Sequence, residues 1–244
     1  MTVKISKNYE DMSLQAVLDL LKLIQYKKNP VICTASGDTP ALMYRTLIEQ
    51  VNKNDIDISG WHFIGLDEWA GMNGNDEGSC RYHLNKQLFH PLNIAEDKIA
   101  FFDGGAKNLK AQCDGIEDYI RLHGGIDVAI LGLGMNGHVG MNEPGASARQ
   151  HAHVAEIHKA TQKVGRKYFT TEQKLTHGLT LGIASLIEAS HLMLLVNGIN
   201  KADIVRRFLE SGPTPELPAS LLELHNSFVV YLESESASLT GLNK

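Results

Sequence analysis

The residues best suited to chemistry in this sequence lie at positions 131–144, which read LGLGMNGHVGMNEP. This segment places His138 and Glu143 five positions apart, among four glycines and directly after the apolar run 127–130. An imidazole oriented by a carboxylate is a common proton shuttle near neutral pH, so the pair predicts proton-transfer chemistry. The alternative is a structural histidine that hydrogen-bonds within its own loop.

Gly132, Gly134 and Gly137 also match the dinucleotide-binding pattern G-x-G-x-x-G. That pattern requires a helix that opens at its third glycine and receives a pyrophosphate. Gly140 and Pro144 oppose a helix here, and at least two candidate strands precede this one, whereas the pattern usually follows the first strand. The segment therefore argues against a nicotinamide cofactor.

A second segment, residues 36–39 (SGDT), lies between an apolar run at 31–35 and a helical pattern. Backbone N–H groups at such a junction, with the positive end of the helix dipole, suit a phosphate. The alternative is an ordinary helix start, capped by Asp38 or Thr39 with Pro40 at the first helical position.

A third segment begins where the apolar run 62–66 ends, at Asp67 and Glu68. A carboxylate held against an apolar wall has a raised pKa, which suits a base that moves a carbon-bound proton. The alternative is a solvated acidic pair in a loop that spans residues 67–71.

Two other chemistries find little support in the sequence. His151, His153 and His158 lie close together, but the chain has no H-E-x-x-H motif and no Cys/His zinc spacing, so we predict no metal. No G-x-S-x-G motif is present, which leaves serine hydrolysis without a candidate nucleophile.

The hydrophobic pattern predicts strands that alternate with helices. Helices are expected at 11–26, after Pro40, at 79–90 with Ser79 as the cap, at 107–123 and at 200–210. Strands are expected at 31–35, 62–66, 127–134, 191–196 and 227–232, with a loop or edge strand between the helices 79–90 and 107–123.

This alternation predicts one α/β domain over residues 1–244, with a doubly wound, mostly parallel, Rossmann-like sheet flanked by helices. Ligands of such sheets bind at the carboxyl ends of the strands, so the segments 36–39, 67–71 and 134–143 should face one crevice. The polar stretch 145–178 is weakly periodic and is interpreted as a lid.

Composition narrows the class of partner. The net charge is −5 and no dense Lys/Arg block is present, which argues against nucleic acid and anionic membranes. Three separated cysteines predict a reduced, cytoplasmic chain. We find no signal-peptide pattern and no apolar run near the ~20 residues that a membrane span needs.

The motifs SGDTP, GLDEWAG and LGLGMNGHVGMNEPG, in this order, resemble the glucosamine-6-phosphate deaminase family across nearly the whole chain. LGLG-x-NGH, the later GLTLG and PASLLELHNSF resemble its galactosamine-6-phosphate deaminase/isomerase branch in particular. The family usually has aspartate where this chain has Asn136, whereas asparagine is typical of that branch. Asn136 can hydrogen-bond to the histidine but offers no negative charge.

The resemblance implies a role for each matching position. Asp67 would be the base at C2 of the sugar, and His138, with Glu143 and Asn136, would open the pyranose ring. The implied substrate- and phosphate-binding residues are Ser36, Gly37, Asp38, Thr39, Gly137, Lys201 and either Arg166 or Lys167.

The function implied is conversion of galactosamine 6-phosphate to tagatose 6-phosphate and ammonia, with no cofactor. The expected partner is a small amino-sugar phosphate, and a homo-oligomer is compatible with the sequence. The alternatives are glucosamine 6-phosphate as the substrate, a hydrolase similar to 6-phosphogluconolactonase, and a non-catalytic sugar-phosphate sensor. The sensor is disfavoured because the chain lacks a helix-turn-helix pattern and a basic block.

Overall fold

Strands and helices alternate along the chain in the computed structural model, which describes residues 1–169 and 175–242. The strands are β1 (Thr2–Ser6), β2 (Val31–Thr34), β3 (His62–Gly65), β4 (Asp67–Trp69), β5 (Ile99–Ala100), β6 (Val128–Gly132), β7 (His153–Glu156), β8 (His177–Thr180), β9 (His191–Val196) and β10 (Phe228–Glu233). The helices are α1 (Tyr9–Ile24), α2 (Asp38–Lys53), α3 (Cys80–Leu84), α4 (Leu109–Leu122), α5 (Lys159–Gly165), α6 (Ile183–Ile187) and α7 (Ala202–Ser211). None of the helices in the described part of the chain is both long enough and apolar enough to cross a membrane.

Seven strands form a parallel sheet in the order β1-β10-β9-β6-β2-β3-β5. Its central strands are buried on both faces. In β6, Val128 and Ile130 pack with α1 and α2, whereas Ala129 and Leu131 pack with α4 and α7 on the opposite face. Burial on both faces explains why these strands are continuously apolar. The doubly wound fold is as predicted.

The strand order reverses between β2 and β6, which are hydrogen-bonded neighbours. From β2 the chain proceeds to β3 and β5 on one side, and from β6 to β9 and β10 on the other. The connections that leave these two strands therefore diverge, and a crevice opens between them. The segments after β2 and β6 are the two that sequence analysis selected at 36–39 and 134–143.

The third segment departs from expectation. Residues 67–69 form β4, which pairs antiparallel with β8, while β8 pairs antiparallel with β7 in a separate three-stranded sheet. The loop predicted at 67–71 is therefore wrong. A three-residue strand carries too few positions for alternation to be recognised, and its partner β8 is remote in sequence.

Strand β1 and the elements within residues 145–178 were also missed, and one prediction stays open. The edge strand β1, which pairs with β10, is only partly buried, so its sequence lacks the apolar run of the central strands. The stretch 145–178 contains β7, α5 and the first two residues of β8. Residues 170–174 of that stretch lie outside the described residues, and its role as a lid stays a prediction.

Buried polar contacts tie the segment after β6 to the small sheet. The Met141 N–H donates to Thr180 Oγ1 at 3.1 Å, and Asn142 Nδ2 donates to the carbonyls of Val139 and Leu181 at 2.9 Å each. Gly140 has φ +56°, and a Cβ on it would lie 2.7 Å from Thr180 Oγ1. The absence of a side chain at Gly140 therefore allows the close approach.

Replacing Asn142 with alanine should lower the free energy of unfolding by about 2 kcal/mol, because the two buried hydrogen bonds from its side chain to the carbonyls of Val139 and Leu181 are lost. Denaturant titration would measure the change. The matched control is Asn54→Ala, since the Asn54 amide also donates to a backbone carbonyl but does so at an exposed position. An Asn142→Ala variant as stable as the unmodified protein would show that these bonds do not hold the segment.

Candidate active site

A cavity of about 400 Å³ opens at the point where the strand order reverses. Its walls are formed by residues 35–40, by Asp67 and Trp69 of β4, by part of the segment 132–141, and by Lys167, Tyr168 and Lys201. All three segments selected from the sequence therefore contribute to one cavity, of a size typical for small-molecule sites.

The segment 36–39 begins α2 in an unusual way. The helix starts at Asp38, its N-cap is Gly37 with φ +108°, and no side chain hydrogen-bonds to the first turn as a cap. The alternative of an ordinary cap by Asp38 or Thr39, with Pro40 at the first helical position, is therefore wrong. A helix N-terminus without a side-chain cap at a cavity wall is suited to bind an anion.

Two lysines line the same cavity as this helix terminus. The Lys167 ammonium is 2.5 Å from Asp38 Oδ2, and Lys201 Nζ donates to the Leu133 carbonyl at 2.6 Å. Burial lowers the pKa of Lys201 to about 8, and the charge of Lys167 adds to the effect. Arg166 is exposed and lies outside the cavity wall. Of the alternatives Arg166 and Lys167, therefore, only Lys167 lies where it could contact a bound phosphate.

Asp67 lies at the cavity wall beside the apolar rings and strands of the core. Burial raises the pKa of Asp67 to about 6, and a hydrogen bond from the Cys80 thiol opposes part of that rise. A carboxyl group with such a pKa is ionised at neutral pH and readily accepts a proton. The pKa of Asp67 is thus raised as expected, whereas the alternative, in which Asp67 and Glu68 are both solvated, does not agree with their burial.

Its neighbour Glu68 has a different role. The Glu68 carboxylate is fully buried and accepts hydrogen bonds from the backbone N–H groups of Trp69, Cys80 and Arg81 at 2.8, 2.9 and 3.0 Å. Burial raises the pKa of Glu68 to about 7, although these three donors oppose the rise. Glu68 joins β4 to the start of α3 and thereby holds the backbone that carries Asp67.

His138 lies at the cavity wall and is linked to Glu143 through Asn136. Asn136 Nδ2 donates to Glu143 Oε2 at 2.7 Å, so its Oδ1 faces His138 Nδ1 at 2.6 Å. Because Oδ1 can only accept, Nδ1 carries the proton and Nε2 keeps its lone pair. The direct distance from His138 Nδ1 to Glu143 Oε2 is 3.8 Å, so Glu143 supports the histidine mainly through Asn136.

Burial lowers the pKa of His138, and Lys201 contributes to the decrease, whereas the charge of Glu143 opposes it. The imidazole is therefore neutral at pH 7. A neutral ring whose proton is held on Nδ1 can accept a proton at Nε2 and return it, as a shuttle must.

The glycines of this segment serve packing rather than a dinucleotide. A Cβ on Gly134 would lie 2.2 Å from the His138 ring, and one on Gly137 would lie 2.6 Å from Leu217 Cγ. Gly137 has φ +88° and is buried beneath the cavity wall, where its carbonyl accepts from the Ala219 N–H. Gly137 therefore does not face the cavity, contrary to its predicted role in substrate binding.

Several cavity residues were missed in the sequence analysis, among them Cys80, His83 and Tyr168. Cys80 contacts Asp67, Tyr168 stands beside Gly37, and His83 lies with its ring centroid 5.2 Å from that of Tyr168. Ser79, correctly predicted as a helix cap, marks the start of the short helix that carries Cys80 and His83. Tyr168 directly follows Lys167, but only the fold reveals that both approach Gly37.

The histidines of the second half do not form a metal centre. His151 pairs with Glu188 at 3.0 Å, and His153 Nδ1 contacts the His151 carbonyl at 2.9 Å. Within residues 1–169 and 175–242, no group of three or more Cys, His, Asp or Glu side chains is arranged to hold a metal ion.

Comparison with known proteins agrees with this geometry. The family model described as glucosamine-6-phosphate isomerases/6-phosphogluconolactonase matches residues 8–231. The putative deaminase AgaI of Escherichia coli (strain K12) is 35% identical over 233 residues, which cover 96% of this chain and 92% of that protein. Glucosamine-6-phosphate deaminase of Thermoanaerobacter sp. (strain X514) is 34% identical over 240 residues, covering 98% and 95%.

A solved structure agrees as well. The structure of a monomeric glucosamine-6-phosphate deaminase superposes with a TM-score of 0.94 at 31% identity, covering 98% of this chain and 100% of that one. Sequence and backbone thus match over almost the full length of both chains. The chain belongs to the enzyme family of glucosamine-6-phosphate isomerases and 6-phosphogluconolactonases.

Proposed function

We propose that this protein deaminates an amino-hexose 6-phosphate, most favourably galactosamine 6-phosphate, to give tagatose 6-phosphate and ammonia. The observation that carries the proposal is the placement of Asp67 and His138 in one cavity with the helix terminus at 36–39. A base, a proton shuttle and an anion site are the groups that this reaction requires.

The phosphate is expected to bind at the first turn of α2. The backbone around Ser36, Gly37 and Thr39 offers N–H donors, and Lys167 and Lys201 add positive charge at the same wall. This anchor is remote from the reacting carbons, so its binding energy holds C1 and C2 in position for the proton transfers.

Ring opening falls to His138. Its Nε2 takes the proton of the anomeric hydroxyl and delivers a proton to the ring oxygen, which breaks the C1–O5 bond and exposes the aldehyde. While the His138 imidazole carries the extra proton, the side-chain carbonyl of Asn136 stabilises its positive charge by accepting the hydrogen bond from Nδ1, at 2.6 Å. Glu143 holds the Asn136 amide in the orientation that this bond needs.

Isomerisation falls to Asp67. The aldehyde acidifies the C2–H bond, Asp67 removes that proton, and the carbon is left as an enolamine. Return of the proton to C1 gives an imine at C2. Water adds to the imine and the C–N bond breaks, which releases ammonia and leaves a ketose 6-phosphate. All of these steps are proton transfers or hydration and balance without a cofactor.

The epimer preference rests on Asn136, which matches the galactosamine branch that the sequence resembles. The rival substrate is glucosamine 6-phosphate, favoured by the printed names of relatives such as the Thermoanaerobacter enzyme. Both sugars place the same groups at C1 and C2, so the mechanism is unchanged between them.

Purified protein offered each amino-sugar phosphate in turn should release ammonia from both, with the higher kcat/KM for galactosamine 6-phosphate. A coupled ammonia assay measures the rates. Absence of ammonia from both sugars would contradict the deaminase proposal, and a higher kcat/KM for glucosamine 6-phosphate would contradict the epimer assignment alone.

Asp67→Asn should lower kcat for ammonia release by about 10³-fold, because the amide cannot accept the C2 proton. Asp103→Asn is the control, since Asp103 is exposed and caps only the local turn at Gly105. A 6-phosphogluconolactonase needs no base at C2. Lactone hydrolysis that survives in Asp67→Asn would therefore favour the hydrolase over the deaminase.

The pH profile of kcat/KM should be bell-shaped. Asp67 must be ionised to act as a base, so activity should rise as the pH passes about 6. Lys201 loses its charge as the pH passes about 8, so phosphate binding and activity should then fall. Lys201→Arg should move only the alkaline limb upward, because arginine stays protonated. An alkaline limb that does not move would rule out Lys201 as its source.

A further inference from the structure

A carboxylate stands inside the region that is expected to bind a phosphate. Asp38 is the first residue of α2, and its side chain does not cap that helix. It turns instead toward Lys167, whose ammonium lies 2.5 Å from Asp38 Oδ2. Both residues line the cavity. Like charges repel, so this carboxylate opposes a bound phosphate unless it moves away.

The local charges explain why the ligand-free protein holds Asp38 in this position. The charge of Lys167 contributes to lowering the pKa of Lys201, and the positive end of the α2 dipole adds to the field. Although burial alone would lower it, the pKa of Lys167 is raised, because Asp38 and the Tyr168 hydroxyl stabilise the ammonium. Asp38 therefore serves as the counter-ion of this group of cations.

The pair is also easily separated. Side-chain exposure is 72% for Asp38 and 50% for Lys167, and ion pairs this exposed contribute little net stability. Rotation of the carboxylate toward solvent would free the ammonium without breaking any buried contact. By contrast, Lys201 is held by the buried Leu133 carbonyl.

We propose that Asp38 is an internal counter-ion that occupies Lys167 in the free enzyme and is displaced from it by the substrate phosphate. The proposal deepens the proposed function, since it assumes that the phosphate binds at the first turn of α2. Asp38 then weakens phosphate affinity and speeds release, because the carboxylate competes for the same ammonium after each turnover. This role differs from the one that the resemblance implied, in which Asp38 helps to hold the phosphate, because its side chain here opposes phosphate binding.

The test uses galactitol 6-phosphate, which has no aldehyde or amine and cannot react. Isothermal titration calorimetry on Asp38→Asn should give a Kd about tenfold lower than that of the unmodified protein, because the competing charge is gone. Asp38→Ser should behave alike, since it also removes the charge, and it keeps the measurement decisive if the asparagine variant misfolds.

Asp114→Asn is the matched control. Asp114 forms an exposed ion pair with Lys110 at 2.6 Å on α4, outside the cavity. The Asp114→Asn variant should therefore bind galactitol 6-phosphate with the same Kd as the unmodified protein. In a Lys167→Gln background, Asp38→Asn should gain less affinity than it does with Lys167 present, since the competition needs both partners.

Weaker or unchanged binding of galactitol 6-phosphate by both Asp38 variants would overturn the proposal, because it would make Asp38 a support of Lys167 rather than its competitor. Protein that binds this ligand more tightly after the substitutions, yet releases no ammonia from either amino sugar, would retain the counter-ion role and lose the proposed function. Protein that does not bind the ligand at all would overturn both.

Discussion

The candidate site depends on the contact between the segment that carries His138 and strand β8 of the small sheet. Strand β8 pairs with β4, the strand that begins at Asp67. Asp67 opens β4, which pairs with β8, and Thr180 of β8 accepts the Met141 N–H. The side chain of Asn142 adds bonds to the carbonyls on both sides of that junction. Parallel sheets bring strand ends near each other, but here antiparallel pairing and a buried amide determine how Asp67 is placed relative to the segment of His138.

Within this frame, a chain of two hydrogen bonds controls the histidine. A carboxylate accepts only, so Glu143 orients the Asn136 amide, and the orientation of the amide decides which nitrogen of His138 bears the proton. Glu143 therefore influences the cavity without forming part of its wall. An asparagine at this position keeps the hydrogen bond and omits a negative charge, which leaves burial as the main determinant of the pKa of His138.

Much of the fold and the core of the site could be predicted from the sequence, because the central strands are continuously apolar and their carboxyl ends are marked by glycine and polar residues. Residues 36–39 and 134–143 were recognisable for this reason. The three-residue strand β4 was not, since its pairing with β8 involves residues distant in the chain. The role of Glu68 was likewise hidden, because its backbone N–H donors at the start of α3, Cys80 and Arg81, become neighbours only after folding.

Individual side chains at the wall were harder to predict, and each error has a physical cause. In the glycine pattern G-x-G-x-x-G, Gly134 is required because the His138 ring packs closely against it. The spacing of the glycines alone cannot distinguish this packing from a phosphate-binding turn. Arg166 and Lys167 are adjacent cations, and the turn at 166–168 decides which of them reaches the cavity. Helix-start preferences favoured Asp38 as a cap, yet α2 begins at Asp38 with Gly37 in the cap position, and the Asp38 carboxylate pairs with Lys167.

Burial acts on the three ionisable groups of the cavity in one consistent way. Removing water raises the pKa of Asp67 and lowers the pKa of Lys201, so these two move toward neutral pH. It also lowers the pKa of His138, which keeps the imidazole in its neutral form. Groups with pKa values near the working pH exchange protons at small cost, which is what a reaction made of proton transfers needs. The cations at this wall differ in their partners, since buried Lys201 is held by the Leu133 carbonyl whereas exposed Lys167 pairs with Asp38. Under the proposed displacement, Asp38 supplies the counter-charge of Lys167 in the free protein and the substrate phosphate would supply it in the complex.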